Sequence, residues 1–177
     1  MRSSRFALGA LAAFSLAAAA LPAAAETHLE VQGGRSYMDD YGTNAFFVES
    51  VFDARQMGQS RFTWSPDVSI GYIKGRDIGR YENSHPGVTS NVWVGAAGAR
   101  FHYGSEGDWY RPFFFSFQVA GTAGGRTQAL SSGYEFVSTL GWQYKNVSFQ
   151  VRHISNGSFQ EPNRGETMAL VGIGFDI

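Results

Sequence analysis

The chain has 177 residues, with 14 basic against 15 acidic side chains and no cysteine. No basic block marks a nucleic-acid partner, and no disulfide framework holds the fold. A soluble protein with 15 Phe and 8 Tyr would bury them in a core, yet here they alternate with polar residues.

Arg2 and Arg5 precede an apolar run from Phe6 to Leu21, closed by Pro22 and Ala23-Ala24-Ala25. A basic start, a short apolar run and a small-residue end read as a secretory signal peptide, with cleavage expected after Ala25. The run is short for a membrane helix, and no stop-transfer pattern follows. The expected organisation is a signal peptide, 1–25, and one domain, 26–177. Taking Arg2 and Arg5 from the 14 basic residues leaves 12 against 15 acidic ones, a formal charge of −3. Export permits disulfides, so a chain without cysteine draws its stability from elsewhere, such as a closed hydrogen-bonded sheet.

Eight segments follow with strand periodicity: about 27–34, 44–53, 61–73, 88–103, 111–123, 131–145, 147–156 and 166–177. In the third, Phe62, Trp64, Pro66, Val68, Ile70 and Tyr72 share one parity, opposite Thr63, Ser65, Asp67, Ser69 and Gly71. Side chains alternate faces along a strand, so one side is apolar and the other polar. Pro66 cannot donate to a ladder and calls for a bulge or a strand end. The fifth sets Phe113, Phe115, Phe117 and Val119 against Ser116, Gln118 and Ala120, with Phe114 as the exception. The sixth sets Tyr134, Phe136, Leu140, Trp142 and Tyr144 against Glu135, Thr139 and Gln143. Its apolar face carries aromatics at both ends, as membrane-interface girdles require. The eighth runs apolar through Val171, Ile173, Phe175 and Ile177 to the last residue.

A soluble sandwich also alternates. The leader, segment lengths near the about 9–11 residues of a spanning strand, and the apolar ending favour the membrane. The predicted fold is all-β: an eight-stranded antiparallel transmembrane barrel in the outer membrane, its interior filled by side chains rather than a pore. An even strand number puts both termini in the periplasm, so connections 35–43, 74–87, 124–130 and 157–165 face outward. Glu49, Asp53, Asp67 and Arg152 fall on inward parities and are expected to pair with one another.

The seventh segment carries the candidate chemistry. Val147, Phe149 and Val151 form its apolar parity, and His153 and Ser155 continue it. Polar groups on a lipid-facing stripe are costly, and so are functional candidates. Two residues apart on one face, an imidazole can serve as general base to a serine hydroxyl. A third group should orient the imidazole, and the nearby acids are Glu161 and Glu166. Glu166 is the expected acid, because it opens the adjacent strand. Strict parity from the C-terminus nevertheless points Glu166 inward and Thr167 outward. N–H groups around Asn156 and Gly157 are candidates for an oxyanion hole. The bland alternative is a headgroup-level histidine followed by a serine that begins a loop. His28, His85 and His102 show no metal-ligand spacing, and Gly33-Gly34 and Gly124-Gly125 mark turns or kinks. Lys74, Arg76 and Arg80 lie in a charged outer connection, either solvated or in contact with lipid phosphates.

The run His153-Ile154-Ser155-Asn156-Gly157, followed by Pro162-Asn163-Arg164-Gly165-Glu166, resembles the PagL family of lipid A 3-O-deacylases. The similarity is strongest over 147–177 and extends loosely to Arg111-Pro112-Phe113 at the start of the fifth strand. It implies an eight-stranded outer-membrane barrel that removes the ester-linked hydroxyacyl chain at position 3 of lipid A. The family's His and Ser fall on His153 and Ser155, and its Asn on Asn156 in the oxyanion hole. The family's acid usually lies one residue further on, where this chain has Thr167. Asn163 is expected to order the loop or the imidazole. No metal or cofactor is expected. The expected partner is lipid A in the outer leaflet, and a homodimer is left open. Two rivals stand beside this reading: a membrane esterase or acyltransferase acting on another bond, and a non-catalytic small barrel.

Overall fold

The computed structural model describes residues 27–177. The leader expected over 1–25 lies outside the described residues. Eight long strands form the wall: β1 (His28–Met38), β2 (Tyr41–Val51), β3 (Phe62–Ile73), β4 (Val92–Tyr103), β5 (Phe113–Ala123), β6 (Tyr134–Tyr144), β7 (Val147–Ser155) and β8 (Glu166–Asp176). Each pairs antiparallel with its sequence neighbour, and β1 also pairs with β8 from His28↔Asp176 to Tyr37↔Thr167. Among the described residues the barrel is therefore closed, with every long strand paired on both sides.

The strand boundaries differ most at the first hairpin. The connection expected over 35–43 shrinks to a turn at Asp39 and Asp40, with Asp39 at φ 51°. Arg35, Tyr37 and Tyr41 thus belong to the wall. Pro66 sits inside β3, opposite Ala99, without a bulge. Its carbonyl accepts the Phe52 N–H just past the last β2–β3 pair, Val51↔Asp67. The missing N–H faces the same side, at the end of the β2–β3 ladder, so the proline costs at most its last bond.

The outer wall is apolar along its middle, through Val31, Val48, Ile70, Val119, Leu140, Val151 and Ile173, all exposed. Aromatics flank this band. Tyr72 and Trp93 pack as tilted rings at 5.1 Å toward one end, and Phe62 and Tyr103 at 4.8 Å toward the other. Amphipathic rings at both rims suit the two headgroup regions.

The interior has two zones. In the periplasmic half, Glu49 accepts bonds from Arg152 (2.6 Å), Gln32 (2.6 Å) and Arg100 (3.2 Å). The two guanidinium groups also lie over rings, Arg100 over Phe114 at 4.0 Å and Arg152 over Phe47 at 4.5 Å. Phe114 breaks the outward parity of its neighbours because it covers a buried cation. Asp67 is held by Ser116 and Gln118 instead of an arginine. Asp53, expected inside, lies exposed beyond the end of β2. In the outer half, Met38, Ile73, Ile78, Val88, Leu130, Ile154 and Met168 form an apolar plug. Loop residues Ile78, Val88 and Leu130 complete it, so the loops fold back over the barrel mouth.

Candidate active site

The β7 side chains alternate as expected. Val147, Phe149, Val151 and His153 are exposed on the lipid face and Ser155 is partly so, while Ser148, Gln150, Arg152 and Ile154 are buried inside. β7 pairs on one side with β6, where Ser138 faces His153 and Phe136 faces Ser155. On the other side His153 pairs with Thr167, and Ile154 with Glu166.

That register decides what reaches the imidazole. Thr167 Oγ1 lies 2.9 Å from His153 Nδ1, on the same outward face. The opposite edge of the ring faces Gly165, where a Cβ would come within 2.8 Å of Cε1 and 3.2 Å of Nε2. Gly165 also has φ 70°, so both its backbone conformation and this close approach require glycine. The Thr167 hydroxyl can accept from Nδ1–H, an arrangement that leaves Nε2 as the nitrogen able to take a proton. Ser155 is the next residue along that face, and among the described residues no hydrogen bond joins it to His153. In ligand-free enzymes such contacts often tighten only once substrate is bound.

Glu166, the expected acid, is not brought to the imidazole. It is buried on the inner face, where Arg76 donates two bonds of 2.6 Å to its two oxygens and Ser36 donates another of 2.5 Å. Arg76 also donates to the carbonyls of Tyr41 (2.9 Å) and Ser36 (3.1 Å). Adjacent residues on a strand face opposite ways, so an acid one place before Thr167 projects into the barrel. Arg76 is thereby occupied as an internal counter-ion and does not reach lipid phosphates. Arg80 is paired with Asp39 (3.2 Å), which Arg164 also approaches at 3.0 Å, and Lys74 is exposed.

Asn156 follows the inward parity and is fully buried. Its Nδ2 donates to the Gln160 carbonyl (2.8 Å) and to Ser131 Oγ (3.4 Å). Asn163 Oδ1 accepts the Asn156 backbone N–H at 3.2 Å. Both asparagines therefore shape the 156–165 loop, and the Asn156 amide does not point at the wall. Gly157, at φ 67°, is exposed just beyond Ser155, and its N–H has no partner among the described residues. Two contacts, His153–Thr167 and Arg76–Glu166, are not among those expected from the sequence. Thr167 was legible as the outward row-mate of His153, but a search for acids passes over a hydroxyl. The Arg76–Glu166 pair spans a loop and a strand 90 residues apart and left no local signal.

A closed eight-stranded barrel whose apolar outer band lies between aromatic rims is an outer-membrane barrel. The model of the family described as Lipid A 3-O-deacylase (PagL) matches residues 23–176. The chain belongs to this family, and is an ester hydrolase of the outer membrane. Among solved structures, the crystal structure of the outer membrane enzyme PagL is 16% identical, with a TM-score of 0.59. The match covers 85% of this chain and 99% of that one, and it shows a shared fold. The Yersinia pestis outer membrane protein Ail, solved in a phospholipid bilayer nanodisc, is 12% identical over 86% of this chain and 100% of its own, with a TM-score of 0.43. No curated protein matches the sequence.

Proposed function

We propose that this chain removes the 3-O-linked hydroxyacyl chain of lipid A by a Ser155–His153 mechanism, working on substrate that stays in the outer leaflet. The observation that carries this reading is the outward cluster of His153, Thr167 and Ser155, polar groups that continue the apolar stripe of Val147, Phe149 and Val151.

The steps follow from the atoms available. Ser155 Oγ attacks the ester carbonyl while His153 Nε2 takes the hydroxyl proton. The Gly157 N–H supports the developing oxyanion. His153 then protonates the departing sugar hydroxyl, leaving an acyl group on Ser155. Water, deprotonated by the same imidazole, releases the fatty acid and restores the serine. Thr167 holds the ring in the useful tautomer but supplies no negative charge. Glu166, expected as the third member of a triad, serves instead to hold Arg76 and the outer rim.

Mass spectra of lipid A from cells expressing the wild type and Ser155→Ala test the assignment. The wild type should strip one hydroxyacyl chain and the variant none. Equal loss in both would remove Ser155 as nucleophile. Fatty acid released from phospholipid, with lipid A untouched, would favour the rival bond.

A further inference from the structure

One cation on the lipid face has no part in the chemistry above. Arg35 projects outward from β1 and is exposed. Its Nη1 donates to Asn44 Oδ1 on β2 at 2.7 Å, and the two residues pair directly across the ladder. Among the described residues no carboxylate lies within ion-pairing distance of this guanidinium, and its other N–H groups have no partner. Tyr37 and Tyr41 stand above it and Phe46 below, all exposed, so the pair sits at the headgroup boundary.

The registers relate this pair to the reactive residues. Val151, Ala169, Arg35 and Asn44 form one hydrogen-bonded row, directly below the row of His153, Thr167 and Tyr37. Followed around the barrel from β7 through β8 and β1, the rows climb toward the outer rim. A step of two residues down β1 therefore brings Arg35 back to the depth of His153. Two strand spacings and two residues put them roughly 12 Å apart along the wall. Ala169 lies between, and its small side chain leaves the path open. Gly42, beside Arg35, is equally bare, and a Cβ there would meet Arg35 Nη2 at 2.9 Å.

We propose that Arg35, braced by Asn44, binds a phosphate of the lipid A headgroup while an acyl ester of the same molecule lies at Ser155. A guanidinium fixed sideways by an amide, with the rest of its fork free, suits a phosphate rather than a bare snorkelling role. Among the outer-loop arginines, Arg76, Arg80 and Arg164 are already paired with carboxylates. The proposal rests on the deacylase reading for its ligand, but its test reads binding and not turnover.

The full barrel is titrated in zwitterionic detergent with phosphorylated lipid A and with the enzymatically dephosphorylated form, in a Ser155→Ala background so that neither is consumed. Removing the phosphates should weaken binding roughly 10- to 100-fold. Arg35→Gln should bind both forms equally weakly, and Arg35→Lys should recover part of the discrimination. Heat-dependent gel mobility verifies the folded barrel in each variant, and Arg35→Lys carries the comparison where the glutamine variant does not fold. Arg35→Gln that still prefers the phosphorylated form, or that loses equal affinity for both forms, would overturn the proposal. So would displacement of lipid A by phosphatidylglycerol as effective as by lipid A itself. Failure of the deacylase chemistry appears separately, as an inactive wild type whose phosphate preference survives.

Discussion

The two faces of the β7–β8 pair near the outer rim are built from the same few residues and do opposite work. The lipid face carries His153, Ser155 and Thr167, with one hydrogen bond and open approach. The inner face carries Ile154, Asn156 and Glu166, all buried, with Glu166 clamped by Arg76 and Ser36. Reactivity needs an accessible group whose partners leave it a lone pair. Rigidity needs the reverse, every polar atom spoken for in low dielectric. A single residue step separates the two, so a shift of one position moves an acid from the lipid face to the barrel interior.

The largest expected effect falls on the lipid face. Ser155→Ala or His153→Ala should lower deacylation by about 10³-fold or more while leaving the folded barrel unchanged, because neither side chain is packed inside. The pair should be strongly non-additive, with the double variant no slower than either single one. Deacylation rates in detergent extracts check both statements.

Next comes the inner face, where the readout changes from rate to stability. Glu166→Ala leaves Arg76 buried without a counter-ion and should cost about 3–5 kcal/mol. Denaturant unfolding of the refolded barrel would measure this, and Arg76→Ala should cost a similar amount. The double variant should cost clearly less than the sum of the two. Simple additivity would mean that the two charges do not support each other.

A smaller effect is expected at Thr167. Thr167→Val removes the Nδ1 partner without changing shape, and the loss of one orienting hydrogen bond, about 1 kcal/mol, should slow kcat several-fold. Thr167→Ser should restore most of it. Equal rates for Val and wild type would show that the imidazole orients itself.

Much of this was legible in the amino-acid order. Strict alternation in β3, β5, β6 and β7 predicts the wall, its direction and the lipid-facing position of His153 and Ser155. The same alternation already pointed Glu166 inward, and the structure follows it. Illegible features depended on contacts between distant segments. Nothing local marks Arg76 as a plug residue rather than a solvated loop cation, because its partner is supplied by the last strand. Asp53 follows the inward parity of β2 but falls past the strand end, where parity no longer holds. Arg35 falls in the expected 35–43 connection because Gly33-Gly34 suggests a turn, whereas the ladder continues to Met38.

Comparison of Glu166→Gln with Thr167→Val, both assayed as kcat per folded barrel, separates the two faces most directly. Glu166→Gln keeps the shape inside, but its amide nitrogen cannot accept from Arg76, so the barrel should be less stable while its folded fraction turns over within a few-fold of wild type. Thr167→Val should be the slower of the two. A Glu166→Gln barrel that is folded yet as inactive as Ser155→Ala, beside an unimpaired Thr167→Val, would contradict this division and return Glu166 to the catalytic triad.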